Sequence, residues 1–543
     1  MKRRDFIQLA GVSSFVATWV PSSAVRADPL PTARLALDKF VLDPSKITSL
    51  KRGVGVMKSR KPSDPTSWFY QSAIHGVSDG LLAAALKQDP AIAQINKLKF
   101  WNQCPHFGNA SSADFLIWHR AYVYYFERIL RKASGDQTLS LPYWNYEDPK
   151  QRGCPRIFAD PDVDPVTKIA RNPLYDARRE MAWVYGLYEL SDRAVSTSNA
   201  FAKATYFDSS ADNAFGGAWN DLEPTSQGTL EQSPHNNIHF AIGGVISTAG
   251  GSVSDDSAAG LMADPTTSAF DPLFWVHHSN IDRLWNVWGR QKNSAWGSAP
   301  PCSWLNASPW WFYDHDGSVQ NLPKHSYIDS QKLQVSFDDD DPAQLPVSSK
   351  PLPGPPCPIV VASNTTTPIH TMAMDMSRRE TPSIGTTVIG VNSRPITLSA
   401  SIPTKTVVHF KLASPARPAS GQLLSVSVPQ RVYLELKDVS YNGPPSVGFT
   451  LYASIYGGKS PIELGLLNLF GLRHGEHMHP VTRGQRFDIT NLAAKFSSSE
   501  GMLELSVVPF DLYAAKGPSA PLKRSGNVKI GGFQIITEPA IDR

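Results

Sequence analysis

The stretch SPHNNIHF, Ser233 to Phe240, places His235 and His239 four residues apart with Asn236 and Asn237 between them. At that spacing two side chains lie one above the other on a helix, so both imidazoles can reach one ion. Neutral imidazole suits copper, zinc and iron. The chain has 14 histidines, and among so many an i, i+4 pair also arises without any metal. Their placement favours a metal. Seven lie between His75 and His278, and six of these form two groups of three: His75, His106 and His119, then His235, His239 and His278. His119 sits beside Trp118, Tyr122 and Phe126, where a hydrogen-bonded structural histidine is the plainer reading. A second such histidine, His278, on another apolar helix makes that reading harder to keep. His277 precedes it and is expected to point about 100° away around the helix, so only one of the two serves as a direct ligand.

The elements that must position these residues are visible in the periodicity. FLIWHRAYVYYFERIL puts Leu116, His119, Tyr122, Val123, Phe126 and Leu130 on one helical face. DPLFWVHHSNIDRLWNVW opens a second helix, with Asp271 as N-cap and Pro272 as its first residue. Ser233-Pro234 has the same form and predicts a helix start there. Residues 40 to 335 therefore read as mainly helical. The segment 337–358, FDDDDPAQLPVSSKPLPGPPCP, is acidic and then proline-rich, which predicts an extended linker. Beyond it come short alternating runs, among them KTVVHFKL, QLLSVSV, RVYLELKDV, GFTLYASIY, MLELSVV and VKIGGFQII, which predict a β-sandwich over 359–543.

Composition bounds the class. A length of 543 residues predicts more than one domain, and 41% apolar with 18% charged residues is ordinary for a folded protein. The net charge of +4 is spread without Lys/Arg runs, giving no support to nucleic-acid or membrane binding. Residues 1–27 have a basic start, an apolar middle and a small-residue end, as an export signal does. Arg3-Arg4 followed by Asp5-Phe6-Ile7 resembles the twin-arginine type, which predicts a periplasmic or secreted protein. A cytoplasmic protein with a charged leader is the alternative. Four cysteines do not make a disulfide scaffold, although Cys302 and Cys357 could pair.

Two of these segments resemble a known family. FLIWHRAYVYYFE, Phe115 to Glu127, is similar to the first copper signature of tyrosinases and catechol oxidases, and DPLFWVHHSNID, Asp271 to Asp282, to the second. GTLEQSPHNNIH resembles the segment that supplies the other two ligands of the second site, and PSDPTSWFYQSAIHG the one that carries the first ligand, His75. The resemblance covers residues 35–336. It implies a four-helix-bundle core of the type-3 copper kind, holding two copper ions: one on His75, His106 and His119, the other on His235, His239 and His278. HFGNASSAD makes the gap after His106 longer than is usual in the family, which reads as a loop insertion. CPH resembles the Cys-x-His of fungal relatives and makes Cys104 a candidate for a thioether link to His106; a free buried thiol is the alternative. The C-terminal half is similar, more loosely, to the β-domain that covers the site of latent long polyphenol oxidases. A plain structural module is the other reading.

The resemblance implies oxidation of phenols by O2: ortho-hydroxylation of monophenols and conversion of o-diphenols to o-quinones. A monophenol, with a pKa of about 10, must lose its proton before it binds copper. Glu231 matches the family's water-holding glutamate, and Asn236 the asparagine that shares this water; together they are expected to supply the base. The entrance, near Met262 to Pro265, lacks a bulky blocking aromatic. Arg120, Glu127, His277, Asp282 and Arg283 are candidates for contacts that orient helices and imidazoles. LRHGEHMHP places His474, His477 and His479 in a β-domain loop, either a copper-delivery element or a solvated turn. The alternatives are a catechol oxidase, a hemocyanin-like O2 carrier and, from another class, a zinc hydrolase. Oligomeric state is left open.

Overall fold

The computed structural model describes residues 32–350 except 108–109, 169, 209–213, 221–225, 244–259, 299, 342 and 344–345, and residues 386–539 except 412–429, 443–444, 459, 471–484, 497–499 and 518–526. The expected export signal, the run QLLSVSV, the proline-rich end of the linker and His474, His477 and His479 lie outside these residues. No helix among the described residues is long and apolar enough to cross a membrane.

Five helices carry the site: α1 (Pro44–Ser59), α2 (Trp68–His75), α3 (Asp114–Ser134), α4 (Asn236–Gly243) and α5 (Pro272–Gly289). Their starts follow local chemistry. Asp43, Ser67 and Asp271 each accept a hydrogen bond from a backbone N–H of the first turn, and Pro44 and Pro272 open α1 and α5. The helix start expected at Ser233-Pro234 is built differently. Glu231–His235 forms one wide turn in which Ser233 is extended (φ −152°, ψ 130°), and its hydroxyl donates to the Ser196 carbonyl at 2.8 Å instead of capping. Helix α4 proper begins at Asn236.

Helix α3 is buried on almost every side and ends where Gly135 adopts a left-handed conformation (φ 70°). Gly53 lets α1 rest on it, since a Cβ there would lie 2.7 Å from the Leu130 side chain and 2.9 Å from its carbonyl oxygen. A helix so enclosed must also bury its charges, and these are paired. Arg34 Nε reaches Glu127 at 2.7 Å, and Arg34 Nη1 and Arg120 Nε reach the two oxygens of Asp282 at 2.9 and 2.6 Å. Arg120 also donates to Asn286 at 3.0 Å and lies 3.7 Å above the Trp285 ring. Arg120, Glu127 and Asp282 thus lash α3 to α5; their hydrogen bonds join helix to helix rather than helix to imidazole. Arg283 pairs with Asp339 at 2.7 Å and Glu147 at 3.4 Å. The acidic stretch lies on this helical part, with Asp338 accepting from Lys39 and from the Tyr143 hydroxyl.

The second half is strand-rich. Residues 188–190 form β1 within the helical half. An eight-stranded antiparallel sheet follows from β2 (Thr387–Asn392), β3 (Thr404–Lys411), β4 (Gln430–Lys437), β5 (Val447–Ile455), β6 (Ile462–Leu466), β7 (Gln485–Asp488), β8 (Glu500–Asp511) and β10 (Gly532–Pro539). Its order is β6-β5-β8-β3-β2-β10-β4-β7, and its outer strands β6 and β7 approach one another, so it curls round an apolar interior. The short strand β9 (Tyr513–Ala515) leaves this sheet to pair antiparallel with β1. Cys302 is disulfide-bonded, and Cys357, the cysteine that could pair with it, lies outside the described residues; Cys104 and Cys154 are in no disulfide.

Replacing Asp282 by alanine removes the carboxylate shared by two buried guanidinium groups, leaving Arg34 on Glu127 and taking away the carboxylate that pairs with Arg120. The expected cost is about 3–5 kcal/mol of unfolding free energy, read as a lower denaturant midpoint at unchanged slope. A loss under about 1 kcal/mol would show that the pairing is dispensable.

Candidate metal centre

The histidines converge through their ring nitrogens. The C-terminal residue of α2, His75, donates Nδ1–H to the Pro265 carbonyl at 2.9 Å, and His119 of α3 donates its own to the Phe115 carbonyl at 2.8 Å. On the other side, His239 of α4 donates Nδ1–H to the Met262 carbonyl and His235 to the Asn236 side-chain oxygen, both at 2.9 Å. Each acceptor is an oxygen with no proton to give, so each of these four rings carries its proton on Nδ1 and presents a bare Nε2 lone pair. Such tethers are how metal-binding imidazoles are oriented. The segment at Met262 to Pro265, expected only as an entrance, supplies two of the tethering carbonyls, one for each group.

Two sets of donor atoms lie within 4.8 Å of one another: those of His235, His239, His277 and His278, and those of His75, Cys104 and His119. Nε2 of His239 and Nε2 of His278 approach to 3.2 Å. The two sets share a wall, where the rings of His119 and His278 stack at 4.2 Å. Phe274 packs against both sides, 4.9 Å from His75 and 4.2 Å from His278. His277 does not point away as expected. Its ring lies 5.3 Å from that of His235 and 4.9 Å from that of His239, because the cluster is broad enough to span neighbouring positions on α5. Both its nitrogens are buried without a hydrogen-bond partner among the described residues.

His106 is placed differently from the other five. Its Nε2 faces the Glu231 carboxylate at 3.1 Å, and its Nδ1 faces the Cys104 sulfur at the same distance. That sulfur also reaches 3.9 Å from His119 Nε2 and takes the third place in the first set. Glu231 is 5% exposed and Asn236 4%, and beside Asn236 is buried a third residue that the sequence reading missed, Gln227. The Asn236 amide donates to Gln227 Oε1 at 2.8 Å. The clue was the spacing: Gln227, Glu231, His235 and His239 recur every four residues. Asn237 has a structural place, its amide near the Ala194 carbonyl and the Ser233 hydroxyl, each at 3.4 Å.

The strand-rich half reaches this centre. Phe470, just beyond β6, lies over His239 with ring centroids 4.4 Å apart and planes 26° from parallel. It also meets His106 edge-on at 5.4 Å and His235 at 5.9 Å. The halves are joined by the β1–β9 pair, by the Tyr513 hydroxyl donating to the Ala241 carbonyl, and by Arg193 with Glu463 at 2.6 Å.

Burial sets the protonation of the cluster. It lowers His75, His119, His235, His277 and His278 well below the ordinary imidazole value and His239 to about 3. Burial lowers His106 as well, but Cys104 and Glu231 beside it carry it up to about 10. Burial raises Glu231, opposed by its hydrogen bonds from His106 and Gln227. Uncharged rings with bare Nε2 atoms in a dry, aromatic-lined site fit a pair of imidazole-bound metal ions.

Two facing sets of buried imidazoles in a helical core, followed by a strand-rich domain, define a class of histidine-ligated dinuclear proteins. Residues 65–291 match the common central domain of tyrosinase. A tyrosinase of Hahella sp. (strain CCB-MM4) is 33% identical over 261 residues, covering 46% of this chain and 52% of its own length. The (+)-larreatricin hydroxylase of Larrea tridentata is 27% identical over 364 residues, covering 64% and 55%. The chain thus spans little more than half the length of these curated relatives. The structure of a latent apple tyrosinase superposes with a TM-score of 0.50 at 19% identity, covering 94% of this chain and 98% of that one, a likeness of fold that includes the strand-rich half.

In the unfolded, metal-free chain the six depressed histidines bind protons near pH 6.5, whereas in the folded chain they do not. The unfolded state then holds more protons, so stability falls as pH drops below that value. His106 opposes this: the folded chain already holds its proton through this range while the unfolded chain only gains it, so it offsets about one of the six. Denaturant unfolding of the metal-free protein between about pH 7 and pH 5, above the ordinary carboxylate range, should show this fall. A flat profile would contradict it.

Proposed function

We propose that this protein is a copper-dependent phenol oxidase that hydroxylates monophenols ortho to their hydroxyl and oxidises o-diphenols to o-quinones with O2. The single observation that supports it most is the set of four rings whose Nδ1 protons are committed to oxygens, leaving four Nε2 atoms converging from two sides. His75 and His119 would hold one copper with His106. His235, His239 and His278 would hold the other, with His277 adjacent. Bound there, the copper pair supplies O2 activation and the two-electron oxidation of the phenol.

The chain's own residues handle position and proton. Phe115 and Phe274 pack between the two histidine sets and exclude water from them. Glu231 is the base that takes the phenolic proton, since burial makes its carboxylate more basic and the aromatic surroundings keep competing water out. Asn236 holds His235 in the tautomer that leaves Nε2 bare. Glu231→Gln should lower monophenol kcat by about 100-fold or more, while o-diphenol oxidation falls far less. Equal losses on both would remove Glu231 from the base role. A copper-loaded wild type that oxidises only o-diphenols would make the protein a catechol oxidase.

The strand-rich half is read as a cover for the same site. Supporting this, Phe470 lies on His239 and edge-on to His106 and His235, which is where a phenol ring would have to enter. Phe470→Ala in the full chain should raise o-diphenol kcat/KM by at least about tenfold. Cutting the chain between residues 351 and 385 should do the same. No increase from either treatment would leave the domain a plain structural module.

A further inference from the structure

Helix α4 has eight residues, Asn236–Gly243, all of them buried; it carries His239, and His235 immediately precedes it. Helices shorter than about 12–15 residues are marginal on their own, so this one depends on its surroundings. The last four carbonyls of a helix have no partner within it. In α4 three of these are met by segments distant in the chain. Gly243 accepts from the Gly260 N–H at 2.6 Å, Ile242 from the Glu180 N–H at 2.9 Å, and Ala241 from the Tyr513 hydroxyl. The first two donors belong to the helical half. The third belongs to the strand-rich half, which thus closes the end of a helix whose histidine lies in the metal centre.

The position of Tyr513 is fixed by its own strand. It opens β9 opposite Leu190 of β1, and the Leu512 carbonyl beside it accepts from the Ser191 N–H at 3.0 Å. Past the other end of the pair, the Lys516 N–H donates to the Leu187 carbonyl at 3.0 Å. The chain leaving β1 then runs to the start of α4. There the Ser196 carbonyl accepts from the Ser233 hydroxyl at 2.8 Å, and the Ala194 carbonyl lies 3.4 Å from the Asn237 amide. Between the two ends, Tyr441 of the strand-rich half meets Phe240 edge-on at 5.8 Å. The second half therefore bears on α4 along its length. A slip of this helix would reach the metal centre directly. Met262, two residues after Gly260, takes the Nδ1 proton of His239 at 2.9 Å.

We propose that Tyr513 is a positioning residue of the metal centre: its hydroxyl caps α4, so the strand-rich half holds His235 and His239 in place besides facing them with Phe470. Covering and holding thus fall to different residues of one domain. The inference about metal retention rests on the dinuclear copper reading above, whereas the capping of α4 stands without it. Tyr513 touches no histidine of the cluster among its hydrogen bonds and acts through the helix alone. A buried carbonyl deprived of its donor costs more than the hydrogen bond contributed, which is why one hydroxyl matters here.

The test is Tyr513→Phe in the full chain, which removes one oxygen atom and keeps the ring. In metal-free protein it should raise amide hydrogen exchange within residues 236–243 by about tenfold, the size of one lost hydrogen bond to a buried carbonyl. Exchange within α3 should stay as in the wild type. Arg193→Ala is the control. It removes a partly exposed ion pair with Glu463 at the same interface, a contact of small energetic value, and should leave exchange in 236–243 unchanged. In the copper-loaded full chain, competition with a Cu(I) chelator should strip one of the two coppers from Tyr513→Phe about tenfold more readily. The other copper should be held as in the wild type. A merely structural role would loosen both coppers alike, or speed exchange in α3 and α4 alike. Either of these results, unchanged exchange in 236–243, or unchanged retention of both coppers overturns the proposal and leaves the phenol-oxidase reading standing. A wild type that binds no copper overturns that reading, while the exchange measurement still decides whether Tyr513 caps α4.

Discussion

The structure depends on committing the Nδ1 protons of four imidazoles to oxygen acceptors deep inside the protein. A buried imidazole with no assigned proton is a poor metal donor, because either nitrogen can carry the proton and either face can turn inward. Carbonyls of Phe115, Met262 and Pro265 and the side chain of Asn236 remove that choice. Burial then removes the charge as well, holding these rings neutral. Everything else in the helical half serves to keep those oxygens and rings in register.

That service takes two forms. Around the rings, large aromatic side chains fill space with little freedom: Trp118, Tyr122, Trp275 and Phe126 stack from α3 across to α5. Further out, the Arg34, Glu127, Arg120 and Asp282 network carries buried charge that would be destabilising unpaired. It ties the two helices that bear His119 and His278. The arginines and carboxylates singled out in the sequence thus act one step removed from the histidines, by holding helices rather than rings.

The second half adds a different constraint. Its sheet has an apolar interior of its own, yet it gives up β9 to pair with β1 and places Phe470 on the histidines. A ring stacked on His239 adds an aromatic wall to the cluster from the second half of the chain.

Much of this was legible in the sequence, for local reasons. Helical periodicity marked α3, the Asp-Pro start marked α5, and alternating apolar runs marked β3, β4, β5, β8 and β10. The grouping of the histidines followed from i, i+4 spacing and from apolar helices that had to be buried. The tertiary structure alone decided the rest. The Ser233 kink, against a cap-like dipeptide, arises because the hydroxyl finds the Ser196 carbonyl, 37 residues away in the chain. His277 joins the cluster because rings from α4 lie within reach, and His106 turns to Glu231 because a carboxylate is packed against it. Gln227 lay in plain view four residues before Glu231, but only folding brings its side-chain oxygen to the Asn236 amide. Residue types and short-range periodicity determined which elements form and which side chains are capable of chemistry. Which nitrogen faces inward, and which neighbour completes each hydrogen bond, depended on contacts between segments distant in the chain, and those have no signature in local spacing.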